Sequence, residues 1–362
     1  MRIVIDVSPL SRPRTGIGNY VRGMVAGLAE AAGDDHELVA FGPSGPRGRR
    51  RIREALAGLP VELRLPLLPR AHAWRTAWSR IGRPPVERVV GPLDVFHFSD
   101  WMYPAQRHGV RTTTVHDLVP LHFPELVHAR TYRMHTAKLR NAVRTCDIIF
   151  ANSRFTADDL HERLGFPRDR IHVAYPGIEP RFEPEGPRAE LGAPYVLSVA
   201  TLEPRKNLDT LVRAFQLVRR HRPELVLVVA GTQPPRGSPE SSLPADEGVR
   251  LLGFVSDNEL ARLYRGAEAF AYPSLYEGFG MPIVEALASR VPVVASAHPS
   301  LDEASGDLAT RADPDDPETF ADAIVTALEP DEARLEAGVE HARRFSWRAC
   351  GEAVLRGYQS AL

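Results

Sequence analysis

Residues 272–288 read Tyr272-Pro273-Ser274-Leu275-Tyr276-Glu277-Gly278-Phe279-Gly280-Met281-Pro282-Ile283-Val284-Glu285-Ala286-Leu287-Ala288 (YPSLYEGFGMPIVEALA). The apolar run Ala269–Tyr272 that leads into this stretch has the length of a buried strand, and Pro282 suits the first turn of a helix. Between them Gly278-Phe279-Gly280 reads as a turn whose backbone N–H groups stay open to a ligand. One carboxylate, Glu277, precedes the turn, and another, Glu285, lies eight positions on (285 − 277) inside the helix. Strand, glycine turn and helix make one βα unit.

The same alternation runs through the whole chain. Ile3–Val7 reads as a buried strand, followed by a helix Asn19–Ala31 with apolar Tyr20, Met24, Leu28 and Ala31. Val95–Phe98, Thr112–Val115 and Asp147–Ala151 read as further strands, and Arg130–Thr145 as a basic helix. A second series alternates strands Tyr195–Ala200, Leu225–Ala230, Leu251–Phe254, Ala269–Tyr272 and Pro292–Ala295 with helices Leu208–Arg219, Asp257–Arg265 and Pro282–Ala288. Such alternation predicts an α/β protein with parallel sheets covered on both faces, built as two doubly wound, Rossmann-like units. The stretch Pro176–Pro187, rich in Pro and Gly, reads as the linker, giving domains 1–180 and 188–344. Ser346 then caps an amphipathic helix in the tail 345–362.

With 362 residues, 43% hydrophobic and 25% charged, the composition is that of a globular protein of two domains. A net charge of −1 argues against a general nucleic-acid binder. No apolar run is long enough to span a bilayer, and the first residues enter a strand with no signal peptide ahead. Cys146 and Cys350 lie too far apart for a metal motif and read as buried thiols in a reducing, cytoplasmic compartment. Of 45 Lys and Arg residues only Lys138 and Lys206 are lysines, a coding bias that makes each of them informative. The run Arg47–Arg53 reads as a solvated face, with an anionic membrane surface at the inner side of the plasma membrane as the alternative. Asp313-Pro314-Asp315-Asp316-Pro317 mimics a metal-binding D-x-D but reads better as a loop and helix cap, so no metal is assigned.

In open α/β sheets ligands bind beyond the carboxyl ends of the strands, and three loops fall there. Thr15-Gly16-Ile17-Gly18-Asn19-Tyr20 follows strand one, and Gly16 and Gly18 allow close approach; a third glycine would fall at Val21, so this is no dinucleotide fingerprint. Thr201-Leu202-Glu203-Pro204-Arg205-Lys206-Asn207 puts two cations at a helix start, against the helix dipole, a conflict that a bound polyanion removes. The third is the opening stretch, whose carboxylates would repel phosphate and suit the hydroxyls of a ribose or pyranose. Cations, glycines and diol-binding carboxylates together point to a nucleotide sugar.

EPRKN followed by EGFGMPIVEA, with GIGNY near the start and Val115-His116-Asp117 midway, resembles the retaining glycosyltransferases of family four. The resemblance covers nearly the whole chain, and TGIGNY and TVHDLVPLHFP look most like bacterial mannosyltransferases that build surface polysaccharides. It implies a GT-B fold, two Rossmann-like domains facing a central cleft. The N-terminal domain would bind the acceptor and the C-terminal one the nucleotide sugar, with the last helix crossing back to the N-terminal domain. By the same resemblance Arg205 and Lys206 would bind the donor diphosphate and stabilise its departure. Glu277 and the backbone of Gly278, Phe279 and Gly280 would hold the sugar hydroxyls, and Glu285 the ribose. Gly16 and Gly18 would let the first loop close over the donor, His116 would contact the transferred sugar, and Phe254 and Val255 would border the base.

The activity so implied is transfer of a hexosyl unit, best matched by mannose from GDP-mannose, to a glycan or lipid-linked acceptor without a metal or other cofactor. A UDP-glucose-dependent glucosyltransferase and a nucleotide-sugar 2-epimerase of the same architecture are the alternatives, with a catalytically silent binding protein a third class.

Overall fold

The computed structural model describes residues 1–13, 15–33, 35–99, 102–233 and 248–362. The chain divides into two compact units, one of Met1–Leu118, Arg130–Gly177 and Ser346–Leu362, the other of Val119–Ala129 and Ile178–Phe345. The segment Val119–Ala129 therefore groups with the second unit, although the sequence places it inside the span 1–180.

In the first unit seven parallel strands form one sheet: β1 (Arg2–Asp6), β2 (Glu37–Phe41), β3 (Glu62–Arg64), β4 (Val95–Phe98), β5 (Val110–Val115), β6 (Ile149–Ala151) and β7 (Ile171–Val173). Their order is β3-β2-β1-β4-β5-β6-β7, so the winding direction reverses between β1 and β4. The second unit repeats the plan with β8 (Tyr195–Val199), β9 (Val226–Ala230), β10 (Val249–Gly253), β11 (Ala269–Tyr272), β12 (Val293–Ser296) and β13 (Ala309–Ala312). Here the order is β10-β9-β8-β11-β12-β13, all parallel, with the reversal between β8 and β11.

Each sheet is buried by apolar helix faces. Tyr20, Met24 and Leu28 on the helix Gly16–Ala32 pack with Ile3, Ile5, Leu38 and Ala40 of the first sheet. Leu208, Leu211, Val212 and Phe215 on the helix Leu208–Arg219 pack with Val196, Leu227 and Val229 of the second. The helix Gly16–Ala32 starts three residues earlier than the periodicity predicts, because Thr15 caps it: its Oγ1 accepts the Gly18 N–H at 3.1 Å. Gly16 and Gly18 thus belong to the first helical turn rather than to a free loop. The arginine run forms a helix, Pro46–Ala55, that buries Ile52 and leaves Arg47, Arg50, Arg51 and Arg53 exposed.

The tail forms the helix Trp347–Ser360, capped by Ser346, and lies against the helix Gly16–Ala32. Backbone meets backbone there. A Cβ on Gly27 would fall 1.7 Å from the Trp347 carbonyl oxygen, and one on Gly351 would fall 2.1 Å from the Gly27 carbonyl carbon. Gly351→Ala is expected to force the two helices apart at a cost of about 1–3 kcal/mol, as overpacking of an interior does. A thermal melt checks this, and a midpoint equal to the wild type's would show that the contact is looser than described.

Candidate active site

The loops that leave the carboxyl ends of the second sheet are stitched together. Leu202 N donates to Thr232 O at 3.0 Å, Gly231 N to Gly253 O at 2.9 Å and Leu275 N to Arg205 O at 2.9 Å. Asn207 Nδ2 donates to Pro314 O at 2.6 Å, and Glu277 N to Ser300 Oγ at 3.0 Å. The loops after β8 and β11, the strands that flank the reversal, carry Arg205 and Lys206 on one side and Glu277 on the other.

These three side chains form one ion cluster. Arg205 Nη1 lies 3.1 Å from Glu277 Oε2, and the Lys206 ammonium bonds Glu277 Oε1 directly. The Tyr272 hydroxyl joins them, 3.0 Å from Lys206 Nζ and 3.0 Å from Glu277 Oε1. Arg205 also donates to Glu203 Oε2 at 3.1 Å and to the Tyr276 carbonyl at 3.3 Å. Both Lys206 and Glu277 are buried. Burial pushes the Glu277 carboxyl up, but the charges of Lys206 and Arg205 reverse this and hold it at about 2, against an ordinary 4.5. Lys206 moves down, because burial and the neighbouring Arg205 outweigh the pull of Glu277. The sequence-based expectation kept the Glu277 carboxylate for hydroxyls; in the structure the two cations hold both of its oxygens.

The remaining second-unit candidates are spread along this edge. Gly280 takes φ +99 and caps the helix Met281–Ala288, a conformation that favours glycine. Gly278 is buried, and Phe279 turns its ring inward onto Phe345, with centroids 5.1 Å apart. The Phe279 side chain is buried. Glu285 accepts from the Tyr264 hydroxyl at 3.0 Å, a partner distinct from those of Glu277. Phe254 is 70% exposed beyond β10, an unusual state for a large apolar ring, and Val255 beside it is half-buried. Asp316 caps the helix Pro317–Ala327 through the Glu318 N–H, and Asp313 accepts from Asp315 N. Among the described residues no group of three or more His, Cys, Asp or Glu could hold a metal ion.

In the first unit His116 follows β5, half-buried, with its ring edge-on to Tyr20 at 4.6 Å. It lines a small pocket with Asp6, Tyr20, Met24, His97, Ser99 and Thr114. Gly16 opens the helix nearby in sequence, and a Cβ there would meet nothing within 4 Å. Sequence reasoning missed the polar groups beneath His116. Asp6 is fully buried and accepts from Ser8 N at 2.8 Å, from Ser99 N at 3.3 Å and from both serine hydroxyls; burial raises its pKa. His97 bridges Tyr358 Oη at 2.7 Å and Thr114 Oγ1 at 3.0 Å, and burial with the charge of Lys138 lowers it to about 3, so it is neutral. Lys138, 3% exposed, donates to Thr114 O at 3.1 Å. The one signal for it was the scarcity of lysine: both lysines of the chain are buried.

Comparison with known proteins gives the family and the fold. Residues 14–182 match Glycosyltransferase Family 4, and residues 181–344 match Glycosyl transferases group 1. The chain belongs to this glycosyltransferase family. It is 29% identical to the O-antigen chain mannosyltransferase B of Escherichia coli, over 99% of this chain and 100% of that one. It is 33% identical to the D-inositol 3-phosphate glycosyltransferase of Saccharomonospora viridis, over 75% of this chain and 71% of that one. The sucrose-phosphate synthase structure from Thermosynechococcus elongatus superposes with a TM-score of 0.71 at 18% identity, covering 99% of this chain and 98% of that one, and shares the fold. The glycosyltransferase is thus built from two Rossmann-like units of the GT-B class.

The depressed carboxyl of Glu277 has a consequence for stability. A folded-state value below the ordinary one contributes stability that is complete above the ordinary value and is lost as pH falls through the folded one. The gap in melting temperature between wild type and Glu277→Gln is therefore expected to be widest above pH 4.5 and to narrow towards pH 2. Melts across that range check it, and a gap independent of pH would contradict the ion cluster.

Proposed function

We propose that this glycosyltransferase moves mannose from GDP-mannose to a glycan or lipid-linked acceptor with retention of the anomeric configuration. The observation that carries the choice of sugar is its likeness, over its whole length, to the Escherichia coli O-antigen mannosyltransferase. The diphosphate site is argued from the buried cluster of Arg205, Lys206 and Glu277 on the loops that flank the reversal point of the second sheet.

As the bond from the anomeric carbon to the diphosphate oxygen breaks, negative charge gathers on the leaving diphosphate. Arg205 and Lys206 meet that charge with donors already fixed by Glu277 and Tyr272, so little reorganisation is required. The acceptor hydroxyl bonds to the anomeric carbon from the face that the diphosphate vacates, and a donor phosphate oxygen takes its proton. An oxygen of Glu277 has more than one lone pair and can accept a sugar hydroxyl while it keeps its cation. The remaining roles follow the family resemblance: backbone of Gly278–Gly280 and His116 for the sugar, Glu285 for the ribose, Gly16 and Gly18 for the diphosphate, Phe254 and Val255 for the base. The cationic pair fills the place of a metal at the leaving group, so activity is expected without one.

A second reading has its own support. The Saccharomonospora viridis relative is named for a phosphorylated inositol, so a phosphorylated polyol is the competing acceptor class.

Arg205→Ala and Lys206→Ala are each expected to lower turnover roughly 100- to 1,000-fold, the effect of losing one donor to a developing oxyanion. A folded variant that retains the wild-type rate would refute its role. In competition among nucleotide sugars, GDP-mannose should be preferred, the product should be an α-mannoside by proton NMR, and EDTA should leave the rate unchanged. Preference for UDP-glucose would discard mannose, a β-linked product would discard retention, and magnesium-dependent rescue after EDTA would discard the metal-free leaving group.

A further inference from the structure

The stretch Val119–Ala129 follows His116 closely, yet it groups with the second unit. Within that unit it lies against one residue of the ion-cluster loop. The His122 ring sits 4.5 Å from the Tyr276 ring, tilted by 38°, and Phe123 meets the same ring edge-on at 5.9 Å. On another side His298 meets Tyr276 at 5.9 Å. Tyr276 is 1% exposed, so these rings enclose it.

Both ends of the Tyr276 backbone matter. Its carbonyl accepts from Arg205 Nη1 at 3.3 Å, and the next N–H, that of Glu277, donates to Ser300 Oγ at 3.0 Å. Ser300 Oγ is in turn 2.8 Å from His298 Nδ1. A ring held on several sides fixes its own backbone, and that backbone fixes the angle at which Arg205 and Glu277 meet.

We propose that His122 and Phe123 are positioning residues of the donor site, clamping Tyr276 so that Arg205 and Glu277 are held in register. This inference rests on the reading of Arg205, Lys206 and Glu277 as the donor site. Lys206 also has a partner outside the clamp, the Tyr272 hydroxyl. Loss of the clamp therefore disturbs how Arg205 and Glu277 are aligned during transfer more than the capture of the diphosphate, which Lys206 still meets.

The test measures sugar transfer from GDP-mannose and GDP affinity by calorimetry, with Lys206→Ala as control, in His122→Ala, His122→Phe and Phe123→Leu. One aromatic pair corresponds to about a two- to tenfold effect. His122→Ala should lose that much in kcat with GDP affinity unchanged, and His122→Phe should restore it because the stack needs a ring rather than an imidazole. Phe123→Leu, which keeps apolar bulk, should shift kcat the same way by less. An unaltered kcat in His122→Ala, a parallel loss of GDP affinity, or no rescue by His122→Phe would each overturn the clamp. A fully active Lys206→Ala would instead overturn the donor-site reading beneath it.

Discussion

The ion pair between Lys206 and Glu277 joins two loops that no sheet hydrogen bond connects. β8 and β11 are neighbours, but the helices that follow them lead the chain in opposite directions, which opens a gap between their loops. A charge pair in a buried position is costly unless its geometry is good and its remaining lone pairs are satisfied. Here the Glu277 carboxylate faces two cations and a hydroxyl, and Arg205 also meets Glu203, so the two cations are matched by two carboxylates.

The first unit buries a lysine and a histidine of its own. Its buried ammonium, Lys138, bonds a backbone carbonyl, and its buried imidazole, His97, stays neutral between two hydroxyls. One of those hydroxyls, on Tyr358, comes from the last helix, which reaches the sheet because Gly27 and Gly351 let two backbones touch. A glycine contact at one end of the chain thus supports polar groups beneath His116.

Much of this was legible beforehand. Short apolar runs alternating with helical periodicity leave few architectures other than two parallel sheets, and the motif loops do lie at strand ends. Two of the strands that the sequence reading leaves out are short and give little to read, Glu62–Arg64 being exposed along its length and Ile171–Val173 half-buried, whereas Glu37–Phe41 is apolar and was legible. The partners of Glu277 leave no local trace, because the nearer of its two cations along the chain, Lys206, is 71 residues away. Asp6, Ser99 and His97 left no periodic trace, since what makes them matter is which strands adjoin. The position of Val119–Ala129 depends on tertiary contacts with Tyr276, which a local window cannot contain.

The central claim is that Lys206 and Glu277 act as one unit in presenting positive charge to a nucleoside diphosphate. A double-mutant cycle of Lys206→Met and Glu277→Gln, read as GDP affinity by calorimetry, tests it most directly. Residues in one charge network give coupling of about 0.5–3 kcal/mol, so the double variant should bind GDP differently from the sum of the single changes by at least the lower figure. Strictly additive effects, or GDP affinity untouched by Lys206→Met, would contradict the account.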